Sequence, residues 1–151
     1  MVCLGNICRS PLAEGILKHK TQDLDVVVDS AGTASYHVGN LPDSRSIEIA
    51  NKNGIDLTDQ RARQFSEKDF DNFDKIYAMD TDNYANIISL ARNQSDRDKV
   101  DVILNELNPK SFESVPDPYY GEGDGFKTVF EMLDRACDSI VGKLWNKVNS
   151  I

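Results

Sequence analysis

Apolar positions in this chain follow two alternating rhythms. Short β-branched runs are separated by longer stretches with helical spacing, the pattern of an α/β protein with a mostly parallel sheet. Val26-Val27-Val28 predicts a buried strand ended by Asp29-Ser30, Asp74–Met79 a second strand, and Val100–Leu104 a further one. Helices are expected over Pro11–Lys20, over Asp43–Asn53 with Gly54 closing it, and over Asp80–Arg92 with Asp80 as cap. From Asp124 to Val148, apolar residues recur at Phe126, Val129, Phe130, Leu133, Cys137, Ile140, Val141, Leu144, Trp145 and Val148. That spacing predicts a long helix lying on the sheet, with Cys137 in the core. No repeat, low-complexity tract or linker divides the chain, so one domain spanning 1–151 is expected.

Charge narrows the range of partners. Lys and Arg number 17 against 25 Asp and Glu, a formal net charge of −8. Nucleic acid and anionic membranes need a basic patch, so neither is expected as a partner. No stretch approaches the roughly 18 apolar residues of a membrane span, and the start lacks a basic segment followed by an apolar one; a cytoplasmic protein is expected. Three cysteines, an odd number without zinc-finger spacing, argue against a disulfide framework. His19 and His37 have no partner spacing that marks a triad or metal site, so surface roles are expected and no cofactor or metal. Oligomeric state stays open.

The chemistry concentrates in Cys3-Leu4-Gly5-Asn6-Ile7-Cys8-Arg9-Ser10-Pro11. A thiol and a guanidinium stand at the two ends of a short loop that opens into a helix. Gly5 and Asn6 both tolerate φ > 0, so successive N–H groups can form an anion-binding cup, and Pro11 suits the first helical turn. The cup and the positive end of the helix attract the same dianion. Thiols in such surroundings are lowered to about 3.5–7.5, which makes Cys3 the candidate nucleophile. Arg9 offers a planar fork for two phosphoryl oxygens. Read without chemistry, Cys3 is a small buried hydrophobe and Arg9 a solvated cation at a helix start.

Val2 through Pro11 resembles the signature loop of the low-molecular-weight protein tyrosine phosphatases. Asp117-Pro118-Tyr119-Tyr120 is similar to the family's late D-P-Y-Y segment, and Asp29-Ser30-Ala31-Gly32-Thr33, Arg61-Ala62-Arg63-Gln64 and Ala78-Met79-Asp80 fall in family order between them. The resemblance implies a four-stranded parallel sheet in flavodoxin-like order 2-1-3-4, with helices on both faces and the Cys3 loop at the carboxyl end of the first strand. It implies hydrolysis of protein phosphotyrosine through a cysteinyl-phosphate, with Asp117 first as acid and then as base. Ser10 then helps the thiolate leave, although an ordinary helix cap is the plainer reading of that residue. The loop residues Leu4, Gly5, Asn6, Ile7, Cys8 and Ser10, with Tyr36, Tyr119 and Tyr120 as aromatic walls, would contact substrate. Asn6, Ser10 and Ser30 would form a network fixing the loop, with Gln60 where the family has histidine. Cys8 would trap an oxidised Cys3 as a disulfide, or else simply support the loop as a buried thiol. Phosphate or another oxyanion should occupy the loop, and peptides with very acidic flanks should be poor substrates.

One departure stands at the beginning, where only Met1 and Val2 precede Cys3 although the fold expects several apolar residues in a central strand. Two residues are too few for such a strand, so upstream residues, or exchange between chains, are expected to complete the sheet. Three other readings compete. A thioredoxin-linked arsenate reductase needs two further redox cysteines close together, and Cys137 stands alone. A protein arginine phosphatase of the same fold tends to carry Thr where this chain has Ile7, and lacks the paired tyrosines. A silent phosphoprotein-binding module would not need Cys3, Arg9 and Asp117 intact.

Overall fold

The computed structural model describes residues 1–120 and 124–149. Four short strands, β1 (Val2–Cys3), β2 (Ala31–Gly32), β3 (Ile76–Ala78) and β4 (Val100–Val102), form one sheet in the order β2-β1-β3-β4. Every pairing is parallel, with Val2 opposite both Ala31 and Ala78, and Ile76 opposite Val100. The helices are α1 (Arg9–Lys20), α2 (Ser44–Lys52), α3 (Lys68–Asn72), α4 (Thr81–Ile88), α5 (Gln94–Asp98) and α6 (Gly125–Asn149).

Strand alternation divides the core into two layers. Cys3, Tyr77 and Met79 face a cluster with Leu12 and Ile16 of α1, Ala50 of α2 and Leu133, Cys137 and Ile140 of α6. Val2, Ile76, Ala78 and Val100 face the other side, against Phe70 of α3 and Ile87 of α4. Side chains of a strand point alternately to opposite faces, so the sheet is covered by helices on both, as expected. Asp43 caps α2 by accepting from Arg45 N at 2.9 Å, and Asp80 caps α4 by accepting from Asn83 N at 2.7 Å. Gly54 follows α2 at φ 75°, the left-handed conformation that closes a helix without a Cβ penalty.

Several elements differ from the sequence expectation. Val2–Cys3 does form a central strand, because both neighbours bond to it: Thr33 N donates to Cys3 O at 2.9 Å and Met79 N to Val2 O at 2.9 Å. Val26–Val28 is not a strand. The register Val2↔Ala31 places these residues beyond the amino end of β1, where Val27 is exposed. A cleft of about 720 Å³, bordered by Met1, Val28, Phe73 and Leu144, lies there, at the sheet end opposite the Cys3 loop. The helix expected over Asp80–Arg92 stops at Ile88, and α5 starts afresh from Asn93, whose side chain accepts from Asp96 N at 2.8 Å. Val100–Leu104 divides into β4 and a 3₁₀ turn, Ile103–Glu106. On α6 the stripe holds and Cys137 is fully buried, but Trp145 is exposed; the side chain of Val148 lies outside the described residues.

Gly32 positions the loop most directly. A Cβ there would fall 2.7 Å from Leu4 O, and 3.1 Å from both Ala34 O and Asn6 N, all backbone atoms that cannot swing away. Gly32→Ala should therefore lower stability by about 1–3 kcal/mol, the usual range for overpacking, read as a lower urea midpoint. An unchanged midpoint would show that the backbone of residues 4–6 yields freely.

Candidate active site

The loop between β1 and α1 turns at Asn6, whose φ is 57°. Gly5 does not take a positive φ; what it needs is space, since a Cβ would lie 2.9 Å from His37 Cδ2. Asn6 is 3% exposed and its amide is fully engaged. Nδ2 donates to Ser10 Oγ at 2.8 Å and to Ser30 Oγ at 2.9 Å, while Oδ1 accepts from Arg63 N at 3.0 Å. Ser10 Oγ stands 3.0 Å from Cys3 Sγ. Ser30 Oγ donates to Glu14 Oε1 at 2.7 Å, and Lys18 Nζ donates to Glu14 Oε2 at 2.7 Å. A chain of side chains thus runs from the candidate nucleophile to an ion pair on the far side of α1.

This network corrects three expectations. Ser10 is not the helix cap: Cys8 occupies that position, and Ser10 turns inward as the second residue of α1. Asn6 and Ser10 lie behind the loop, so their side chains support the cup without lining it. Gln60 takes no part in the Asn6–Ser30 network. Its Nε2 donates to Pro11 O at 3.1 Å, bracing the first turn of α1, and its buried Oε1 has no partner. Nothing in the sequence singles out Glu14, because Glu14 and Lys18, four apart, have the spacing of an ordinary solvated helix pair.

Arg9 is buried, with Nη1 bonded to Asp80 Oδ2 at 2.6 Å and to Val115 O at 3.0 Å. Its Nη2 side turns toward Asp117, whose Oδ2 lies 3.7 Å away. Asp80, expected as a helix cap, also fixes the guanidinium, through its other oxygen. Asp117 is exposed, and its Oδ1 accepts from Tyr119 N at 3.0 Å, which fixes the carboxylate against the 3₁₀ turn Pro118–Tyr120.

Cys3, Leu4, Gly5, Ile7, Cys8, Arg9, Tyr36, His37, Asp117, Tyr119 and Tyr120 border one cleft of about 140 Å³. The structure thereby brings together the thiol, guanidinium and carboxylate singled out from the sequence, and the three tyrosines with them. Tyr119 and Tyr120 pack edge to face, centroids 4.9 Å apart, and Tyr36 and Tyr120 stand largely exposed at the mouth. His37, expected at an ordinary surface position, packs on Gly5 and belongs to the rim. Of the other two thiols, Cys8 is pushed up to about 12 by burial and then by the Asp43 carboxylate, and Cys137 to about 12 chiefly by burial.

Comparison with known proteins gives the family. The family model described as low molecular weight phosphotyrosine protein phosphatase matches residues 1–150. A low molecular weight phosphotyrosine protein phosphatase of Schizosaccharomyces pombe is 45% identical over 137 residues, covering 87% of this chain and 86% of the relative. The crystal structure of a protein tyrosine phosphatase from Entamoeba histolytica, with Hepes in its active site, superposes with a TM-score of 0.88 at 38% identity, covering 97% and 95% of the two chains. A Drosophila arginine phosphatase superposes at 0.86 with 33% identity, covering 94% of each.

Alkylation should separate the buried, high-pKa thiols of Cys8 and Cys137 from Cys3. A thiol at about 12 is ionised to only about one part in 10⁴ at pH 8, so Cys8 and Cys137 should resist iodoacetate there while Cys3 is carboxymethylated. Peptide mapping after brief alkylation, with and without inorganic phosphate, checks this; equal labelling of Cys8 would reject the ordering. The cysteine–arginine loop, the remote aspartate and the match over nearly the entire sequence agree, and the chain belongs to the low molecular weight phosphotyrosine protein phosphatase family.

Proposed function

We propose that this phosphatase hydrolyses protein phosphotyrosine in two steps at Cys3. In the first, the Cys3 thiolate attacks phosphorus, an S–P bond forms as the bond to the phenolic oxygen breaks, and Asp117 gives its proton to that oxygen. In the second, the Asp117 carboxylate takes a proton from water, the water oxygen bonds to phosphorus, and the thiolate departs. The Ser10 hydroxyl, 3.0 Å from Sγ, donates to the sulfur as its charge returns. Arg9 is anchored through Nη1, and its remaining edge serves the equatorial oxygens.

One observation carries the reading: Cys3, Arg9 and Asp117, drawn from both ends of the sequence, border a single cleft. Its size and walls support the substrate class. About 140 Å³ accommodates one aromatic ring with its phosphoryl group, and Tyr36 and Tyr119 offer faces for stacking. Aromatic walls favour a phenyl ring over the shorter, ringless phosphoserine side chain. The 33% identity to the arginine phosphatase keeps phosphoarginine as a second substrate class to be measured.

Positioned acids contribute typically about 10²–10⁴-fold, so Asp117→Asn should lower kcat/KM for a phosphotyrosine peptide within that range. Cys3→Ser should abolish turnover. A panel of phosphotyrosine, phosphoserine and phosphoarginine peptides, with Cys3→Ser as control, tests both assignment and selectivity. Release of phosphate from phosphoserine at a comparable rate, or full activity in Asp117→Asn, would overturn the reading.

A further inference from the structure

The Cys3 loop and the Asp117 segment lie more than a hundred residues apart in sequence, yet a continuous line of contacts joins them. Asp43 N donates to Ile7 O at 2.8 Å, tying the start of α2 to the loop. The Asp43 carboxylate holds Arg45 in a fork, with Nε 3.0 Å from Oδ1 and Nη2 3.0 Å from Oδ2. So held, the guanidinium carbon lies 5.4 Å from the Tyr119 ring centre and 4.6 Å from that of Phe126, and Nη1 makes a long bond of 3.4 Å to Tyr119 O. Tyr119 N in turn donates to Asp117 Oδ1.

We propose that Arg45 is a positioning residue for Asp117, a role that rests on Asp117 being the acid described above. The segment carrying Asp117 is fixed at one end by Val115, whose N–H donates to Met79 O at 2.8 Å and whose carbonyl accepts from Arg9. Arg45 fixes the other end, pinning the Tyr119 carbonyl and ring to the same helix that anchors the loop. The distance between carboxyl and sulfur is then set from both sides. A planar guanidinium suits this better than an ammonium, because it forks to a carboxylate and stacks on two rings at once. Since misplacing a group by about 1 Å can cost about 10²-fold, a side chain that never meets substrate can still govern proton transfer.

The test exploits leaving-group chemistry. Phenyl phosphate needs its departing oxygen protonated; dinitrophenyl phosphate does not. Arg45→Met should lower kcat/KM about tenfold for phenyl phosphate and less than about twofold for dinitrophenyl phosphate, a fraction of the same selective loss expected of Asp117→Asn. Arg45→Lys should recover part of the loss, and Asp117→Asn combined with Arg45→Met should be no slower than Asp117→Asn alone. Equal losses on both substrates, or losses that multiply in the double variant, would overturn the proposal. If Asp117→Asn is selective and Arg45→Met is not, the proposal alone falls; if Asp117→Asn shows no selectivity, the acid assignment falls and takes this role with it.

Discussion

The left-handed turn at Asn6 is the constraint on which the rest of the site depends. A cup of backbone amides holds an anion only if its peptide planes stay fixed, and a residue with φ of 57° drifts unless something holds it. Here one buried amide does so, with its nitrogen on Ser10 and Ser30 and its oxygen on the Arg63 backbone. These partners come from α1, from the approach to β2 and from the 61–64 segment, so the loop is tied to three separately folded parts. Asparagine is suited to the task twice over: it tolerates the conformation, and it offers both donors and an acceptor. Because Ser10 also contacts Cys3 Sγ, the hydrogen bonds that hold the turn reach the sulfur as well.

Charge is the second constraint. An overall excess of acid opposes the approach of a dianion, and the site places two more carboxylates, Asp80 and Asp117, beside its guanidinium. Asp80 uses Nη1 at 2.6 Å, whereas Asp117 stays at 3.7 Å from Nη2. The first carboxylate fixes the guanidinium plane; the second lies beyond hydrogen-bond distance and leaves that edge of the guanidinium without a bond to it. Under physiological salt the screening length is about 8 Å, so carboxylates on the far surface contribute little within the cleft, and the local donors dominate.

Much of this was legible in the residues, for identifiable reasons. Asp43, Asp80 and Gly54 mark helix ends through local chemistry, and the recurrence from Val129 to Leu144 fixes α6 without tertiary information. Cys3 with Arg9, and Asp117 with its tyrosines, stand out through motif and order. Other features depend on contacts that no local window contains. Val26–Val28 has strand composition, yet the pairing register leaves it past the end of its neighbour. Glu14 and Lys18 have the spacing of a surface pair, but Glu14 is buried and its other oxygen accepts from Ser30. Gln60 stands at the expected place in the order, but its amide reaches Pro11 instead of Asn6.

Cys3 belongs at once to a strand and to the turn that follows it, hydrogen-bonded into the centre of the sheet through its own carbonyl. The backbone that carries the sulfur therefore cannot shift without shearing β1 against β2, and the floor of the cleft is built on the core. Tyr36, His37 and Tyr120 stand on segments outside the sheet, two of them largely in solvent. Side chains along that rim can therefore be exchanged without disturbing the core packing beneath Cys3, so the mouth of the cleft and its floor are free to evolve on separate schedules.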